Sequence, residues 1–165
     1  MNVLIVVESY FGNTSMIAHA IAEGIQITPG DRQVQIITAS ETPHRIPAEI
    51  SLVIVAAPTH NFGLPSPATR TQAHAKGATT SPTNGVREWI ETVEFNSQAR
   101  IITADTSVKA RFTPSTASKT AQKLIRRRGV STVERGPSFF VDSITGPLSD
   151  GEEDRARTWG TQLTE

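Results

Sequence analysis

The sequence predicts a single α/β domain, a doubly wound five-stranded parallel sheet. Short β-branched runs recur along the chain, stretches of helical spacing lie between them, and no repeat or linker divides the 165 residues. A chain of this length suits one domain and needs no disulfide or metal to fold.

The first run, Val3 to Val7, is continuously apolar, as a strand covered on both faces must be. Met16, Ile17, Ala20, Ile21, Gly24 and Ile25 follow at helical spacing, so residues 14–26 read as an amphipathic helix that Pro29 and Gly30 end. Val34, Ile36 and Ile37 mark a second strand, and Leu52 to Ala56 a third. Strands in this succession pair in parallel through right-handed crossovers. Residues 58–84 are rich in Pro, Thr, Ser and Gly, with a helix expected only over 66–75. Residues 86–93 form a short helix with Trp89, Ile90 and Val93 on one face.

Residues 100–104 make the fourth strand. Thr113 and Pro114 precede a helix over 115–128, opened by a Thr or Ser cap and closed at Gly129 beside three arginines. Residues 138–142 are the fifth strand. Ser149 or Asp150 then caps a last helix, whose first turn carries Glu152, Glu153 and Asp154, the sign favoured at a helix N-terminus. Trp89 and Trp159 fall at apolar positions and read as core anchors.

Composition narrows the function classes. Cysteine is absent, so neither disulfides nor thiol chemistry is available. The four histidines, His19, His44, His60 and His74, have no partner at metal-ligand spacing, so no metal is expected. Sixteen basic residues balance sixteen acidic ones, which argues against nucleic acid as a partner. No run has the ~20 apolar residues of a membrane span, and no leader pattern precedes the first strand, so a cytoplasmic protein without a membrane partner is expected.

Ligands of open parallel sheets bind beyond the carboxyl ends of the strands, where strand order reverses. Three segments are candidates to meet there. The first comprises Ser9, Tyr10, Phe11, Gly12, Asn13 and Thr14, between a buried strand and a helix start. A helix start carries unpaired amides and partial positive charge, so it stabilises a phosphate without Lys or Arg. Ser9, Asn13 and Thr14 add side-chain donors, and Gly12 permits positive φ or close approach. The segment lacks the lysine of a Walker loop and the three glycines of a dinucleotide fingerprint, so a phosphate monoester suits it best. A plain turn and helix cap would use the same Gly-Asn-Thr.

The second segment is Pro58, Thr59, His60, Asn61, Phe62 and Gly63; its backbone amides and Asn61 suit the polar edge of a ring, and His60 or Phe62 its face. An exposed loop histidine and an apolar loop anchor are the plainer roles for those two. The third begins at Asp105 and Thr106, which either border a ligand or form a cap or turn. A phosphoryl-accepting Asp105 would need an acidic cluster after the first strand, where only Glu8 stands. Arg126, Arg127 and Arg128, with Lys119 and Lys123, mark a basic helix end that serves either as a docking patch or as a solvated terminus satisfying the helix dipole.

The motif Ser9-Tyr10-Phe11-Gly12-Asn13-Thr14 resembles the Ser/Thr-x-Thr-Gly-Asn-Thr phosphate loop of flavodoxins. Pro58 to Gly63 resembles their second flavin loop, and Asp105-Thr106 stands where they place a third. The resemblance spans nearly the whole chain and implies the strand order 2-1-3-4-5, non-covalent FMN, and electron transfer to a redox partner protein or a small-molecule acceptor. It assigns no catalytic residue. Phe11 replaces a hydroxyl common in the family pattern, the third loop has Phe112 rather than a stacking Tyr, and the acidic surface of many flavodoxins is absent. A flavin reductase using NAD(P)H, and a binding or regulatory module that has lost the cofactor, are the alternatives.

Overall fold

The computed structural model describes residues 1–78, 83–110 and 113–164. Five parallel strands, β1 (Asn2–Val7), β2 (Gln33–Thr38), β3 (Ile50–Pro58), β4 (Arg100–Val108) and β5 (Glu134–Val141), form one sheet in the order β2-β1-β3-β4-β5. Helices α1 (Asn13–Ile27), α2 (Pro67–Ala75), α3 (Val86–Thr92), α4 (Ala117–Arg127) and α5 (Glu152–Gln162) connect and flank it. The doubly wound sheet and its strand order are those expected. Among the described residues no helix is long and apolar enough to cross a membrane.

Side chains alternate across a strand, and each face of this sheet has its own core. Val3, Ile5 and Val7 of β1 pack with Ile17, Ile21 and Ile25 of α1, Ala156 of α5, and Phe139. Leu4 and Val6 pack on the other face with Trp89 and Ile90 of α3 and Ile125 of α4. This double burial is why the central strands read as unbroken apolar runs. Trp89 is buried as an anchor, and Trp159 packs half-buried with its ring 6.2 Å from Phe139. At Gly24 a Cβ would overlap the carbonyl oxygen of Arg157, so α1 and α5 cross closely there only because the residue has no side chain.

Several boundaries differ from the sequence expectation, β3 and α4 by about two residues at an end, and three have a clear local cause. Strand β4 runs on to Val108, because β3 and β5 pair with it beyond Ala104, at Asp105↔Ala57, Thr106↔Pro58 and Val108↔Val141. Asp105 and Thr106 are therefore strand residues rather than loop residues. Strand β5 begins at Glu134 instead of 138; it is an edge strand, where Pro137 is tolerated without its N–H. Helix α5 is preceded by Gly151 at φ 80°, not capped by Ser149 or Asp150, since the Ser149 hydroxyl donates instead to Asp142 Oδ1 at 2.7 Å.

The topology sets the place of any ligand. β1 has β2 on one side and β3 on the other, so the chain leaves β1 and β3 toward opposite flanks and opens a crevice at their carboxyl ends.

Candidate functional site

Residues 8–14 form one wall of that crevice. Gly12 takes φ 87°, a conformation costly for any other residue, and turns the chain into the first turn of α1. The helix ladder begins with Met16 N–H donating to Gly12 O at 2.9 Å. Among the described residues, the amides of Phe11, Gly12, Asn13 and Thr14 have no protein acceptor, as expected ahead of that ladder. Ser9 Oγ accepts from Ser15 N–H at 3.3 Å. The Asn13 side-chain amide donates to Thr145 O at 3.4 Å and lies against Gly146, so the β5–α5 connection borders the loop.

Thr14 and Thr106 meet through their hydroxyls at 2.7 Å, both buried. The first and third predicted segments are thus joined directly. Asp105, one residue earlier, faces the opposite side of the sheet. Its Oδ2 accepts from Ser118 N–H at 2.9 Å and caps α4, leaving Oδ1 buried without a partner among the described residues. Thr59 Oγ1 similarly accepts from Ala117 N–H at 2.9 Å. Thr116, the residue before α4, makes no side-chain cap of its own, so two strand-end side chains cap this helix from outside.

The crevice between these segments holds a cavity of about 50 Å3 at Thr14, Thr59 and Thr106, which continues outward past Phe11, His60 and Ile144 into a cleft of about 130 Å3 floored by α2. Pro58 lines the inner part and Asn61 the outer part. His60 and Gly63 exchange two backbone hydrogen bonds, of 2.9 and 3.0 Å, around Asn61 at φ 47° and Phe62 at φ 59°. Both central residues of this turn are left-handed, a rare state for phenylalanine that costs about 1–2 kcal/mol. Phe62 is 55% exposed and is not among the residues that line the cleft. Phe112, the third-loop aromatic, lies outside the described residues.

Beneath the cleft is a charged network that the sequence did not reveal. Glu8 and Arg70 are both buried, with Arg70 Nε donating to Glu8 Oε1 at 2.9 Å. The Tyr10 hydroxyl donates to the same oxygen. Glu8 Oε2 accepts from Val86 N–H at 2.8 Å, and the Arg70 guanidinium forks onto Glu88 at 3.0 and 2.6 Å. Glu88 in turn accepts from Gly85 N–H at 2.9 Å. Burial opposes the charge of Arg70, but its bonds to Glu88 and Glu8 outweigh this and hold it protonated. Burial and the adjacent Glu8 carboxylate push the Tyr10 phenol above its ordinary range. Burial also lowers His60, whose ring lies 5.3 Å from that of Tyr10, so the imidazole is held neutral. Tyr10, predicted as a ligand contact, is therefore first of all the tether between the loop and this network. Arg70 sits in a segment of poor helix propensity, and no spacing in the sequence links it to Glu8.

The predicted first and second segments, with Thr106, come together in one crevice. Sequence reasoning missed Ile144, Thr69, Gln72 and Lys76 as cleft residues, because they come from α2 and the β5–α5 connection, which carry no motif. The donor set at the inner end, made of backbone amides and hydroxyls with the one nearby carboxylate already neutralised by Arg70, suits an anionic ester. The outer end offers the flat or apolar faces of Phe11, His60 and Ile144, with Asn61, Gln72 and Lys76 as polar groups.

Several solved structures share this architecture. A flavodoxin from the domain Archaea superposes with a TM-score of 0.59 at 16% identity, over 99% of this chain and 96% of that one. Oxidised flavodoxin 1 from Bacillus cereus gives 0.60 at 14% identity, over 99% and 97%. A WrbA-like flavodoxin from Agrobacterium tumefaciens gives 0.52 at 18%, over 98% and 94%. No family model matches the chain, and no curated protein matches it. The chain has the flavodoxin-like fold.

Proposed function

We propose that this chain binds FMN non-covalently and serves as an electron carrier. The observation that carries the reading is the start of α1: turned by Gly12 at φ 87°, it has four amides without a protein acceptor among the described residues, and Phe11, Asn13 and Thr14 beside them line the crevice at the switch point of the sheet. Those amides, with Ser9, Asn13 and Thr14, would hold the phosphate. Thr59 and Thr106 would border the ribityl chain. Phe11, His60 and the Asn61–Gly63 backbone would flank the ring, with Pro58 and Tyr10 shaping the wall behind it.

Bound FMN would supply one- or two-electron redox chemistry, and the protein binds, orients and tunes it. Arg70 keeps the Glu8 charge from opposing a phosphate further along the loop, at residues 11–14. His60, held neutral, adds no charge beside the ring.

The test is titration of the purified protein with FMN and with riboflavin, followed by flavin absorbance and fluorescence. FMN binding tighter than riboflavin supports the phosphate assignment, and G12V/T14V should abolish that preference. Equal affinity for both flavins removes it. Failure to take up either leaves the second reading, a flavin-free binding module, which the narrowness of the 50 Å3 inner cavity favours. Turnover of NADPH with a quinone would move the assignment from carrier to reductase.

A further inference from the structure

We infer that the groove between α3 and α4 is a docking surface for an acidic protein partner. The groove is open, about 840 Å3, and is lined by Arg87, Lys119, Lys123, Arg126 and Arg127 with no carboxylate among its lining residues. Lys119, Lys123 and Arg126 or Arg127 recur at helical spacing, so one face of α4 carries the charge.

These cations are uncompensated, unlike five arginines elsewhere in the chain. Arg45, Arg70, Arg100, Arg155 and Arg157 each pair with a glutamate. Among the described residues, none of the five groove cations pairs with a carboxylate. In a chain with formal net charge zero, this concentrates positive potential on one wall. A solvated helix end accounts for Arg126 and Arg127 beside the C-terminus, but not for Lys119 in the first turn or for Arg87 on another helix.

A second observation places an apolar anchor at the rim. Arg87 donates to the carbonyls of Leu64 at 3.0 Å and Pro65 at 3.2 Å, tying the groove to the segment after the His60–Gly63 turn. A Cβ at Gly63 would lie 3.3 Å from Thr120 Oγ1, so that turn rests on α4. Phe62, at its tip, is the one exposed aromatic side chain among the described residues. An aromatic anchor flanked by charge is the composition of protein interfaces. Single-stranded nucleic acid needs successive stacking rings, and duplex binding needs a wider basic footprint.

This inference stands apart from the flavin assignment, and its test needs no flavin. The 15N-labelled protein is titrated at low salt with a Glu- and Asp-rich peptide containing leucine, with a DNA duplex of matched charge, and with phosphatidylserine vesicles. The expected result is saturable peptide binding, with amide shifts confined to α3, α4 and residues 60–65, and weaker binding of DNA and vesicles. K119E/K123E/R127E, all at exposed positions, should weaken the peptide about tenfold or more, and F62A should weaken it without affecting DNA. No saturable binding, shifts mapping elsewhere, an unchanged triple variant, or tighter binding of DNA or vesicles would each overturn the proposal.

Discussion

The hydroxyl of Tyr10 donates to the carboxylate of Glu8, two residues earlier, and both side chains are buried beneath the crevice. The bond fixes the loop at its root. Glu8 is the first residue past β1 and Tyr10 the third, so their separation sets where the chain starts toward Gly12.

Tyr10→Phe keeps the ring against His60 and removes the donor. Leaving a buried carboxylate short of one partner should cost about 1–3 kcal/mol in urea unfolding. Tyr10 is the only tyrosine, so tyrosinate absorbance reports it alone. The folded phenol is raised above the unfolded value of ~10, so its contribution is complete below that pH and is lost as pH rises above it. Ordinary titration near pH 10 in the folded protein would contradict the bond.

Arg70→Met strands Glu8 in the interior. Breaking a buried pair by removing one partner costs about 3–5 kcal/mol. Glu8→Gln combined with Arg70→Met should lose less than the sum of the single changes, which a double-mutant cycle by chemical denaturation measures. Acid should act on the same network. Burial raises Glu88, but its bonds to Arg70 and Gly85 outweigh this and hold it below the ordinary carboxylate range. Its contribution is therefore present above the unfolded value and is lost as pH falls through the folded one. An equal fall in stability through that acidic range in the wild type and in R70M would exclude the coupling.

Asp105→Ala removes one of the two external caps of α4 and leaves that of Thr59. The expected loss is about 1–2 kcal/mol in stability, with no change in flavin affinity, because the carboxylate faces α4 and not the crevice. A large loss of flavin binding with unchanged stability would return Asp105 to the ligand.

Thr106→Val breaks the bond to Thr14. It should cost about 1 kcal/mol, and it should also narrow the preference for FMN over riboflavin, since Thr14 is then no longer held by its buried partner. Thermal melts and paired flavin titrations read the two effects separately. An unchanged preference would mean that Thr14 is positioned by the α1 backbone alone.

The central strands, α1, and the Gly12 turn were legible because each is local. Continuous apolar runs, a helical repeat, and a glycine ahead of a helix state their own structure. Strand β4 was read four residues short because Asp105 to Val108 is polar for a strand and extends only because β3 and β5 pair with it. In α2, helix propensity was weak, yet the Ser66–Thr69 capping box and the buried Arg70 secure it.

The sequence by itself determined the fold class, the order of elements, and the loop that opens α1, since periodicity and turn chemistry act between near neighbours. Only the tertiary structure decided that Thr59 and Asp105 cap a helix 13 and 58 residues distant from them, the longer reach being that of Thr59. It likewise decided that Arg70 neutralises Glu8 across 62 residues. The reason is that buried polar groups must find partners, and which partner is within reach depends on the packing of layers rather than on spacing along the chain.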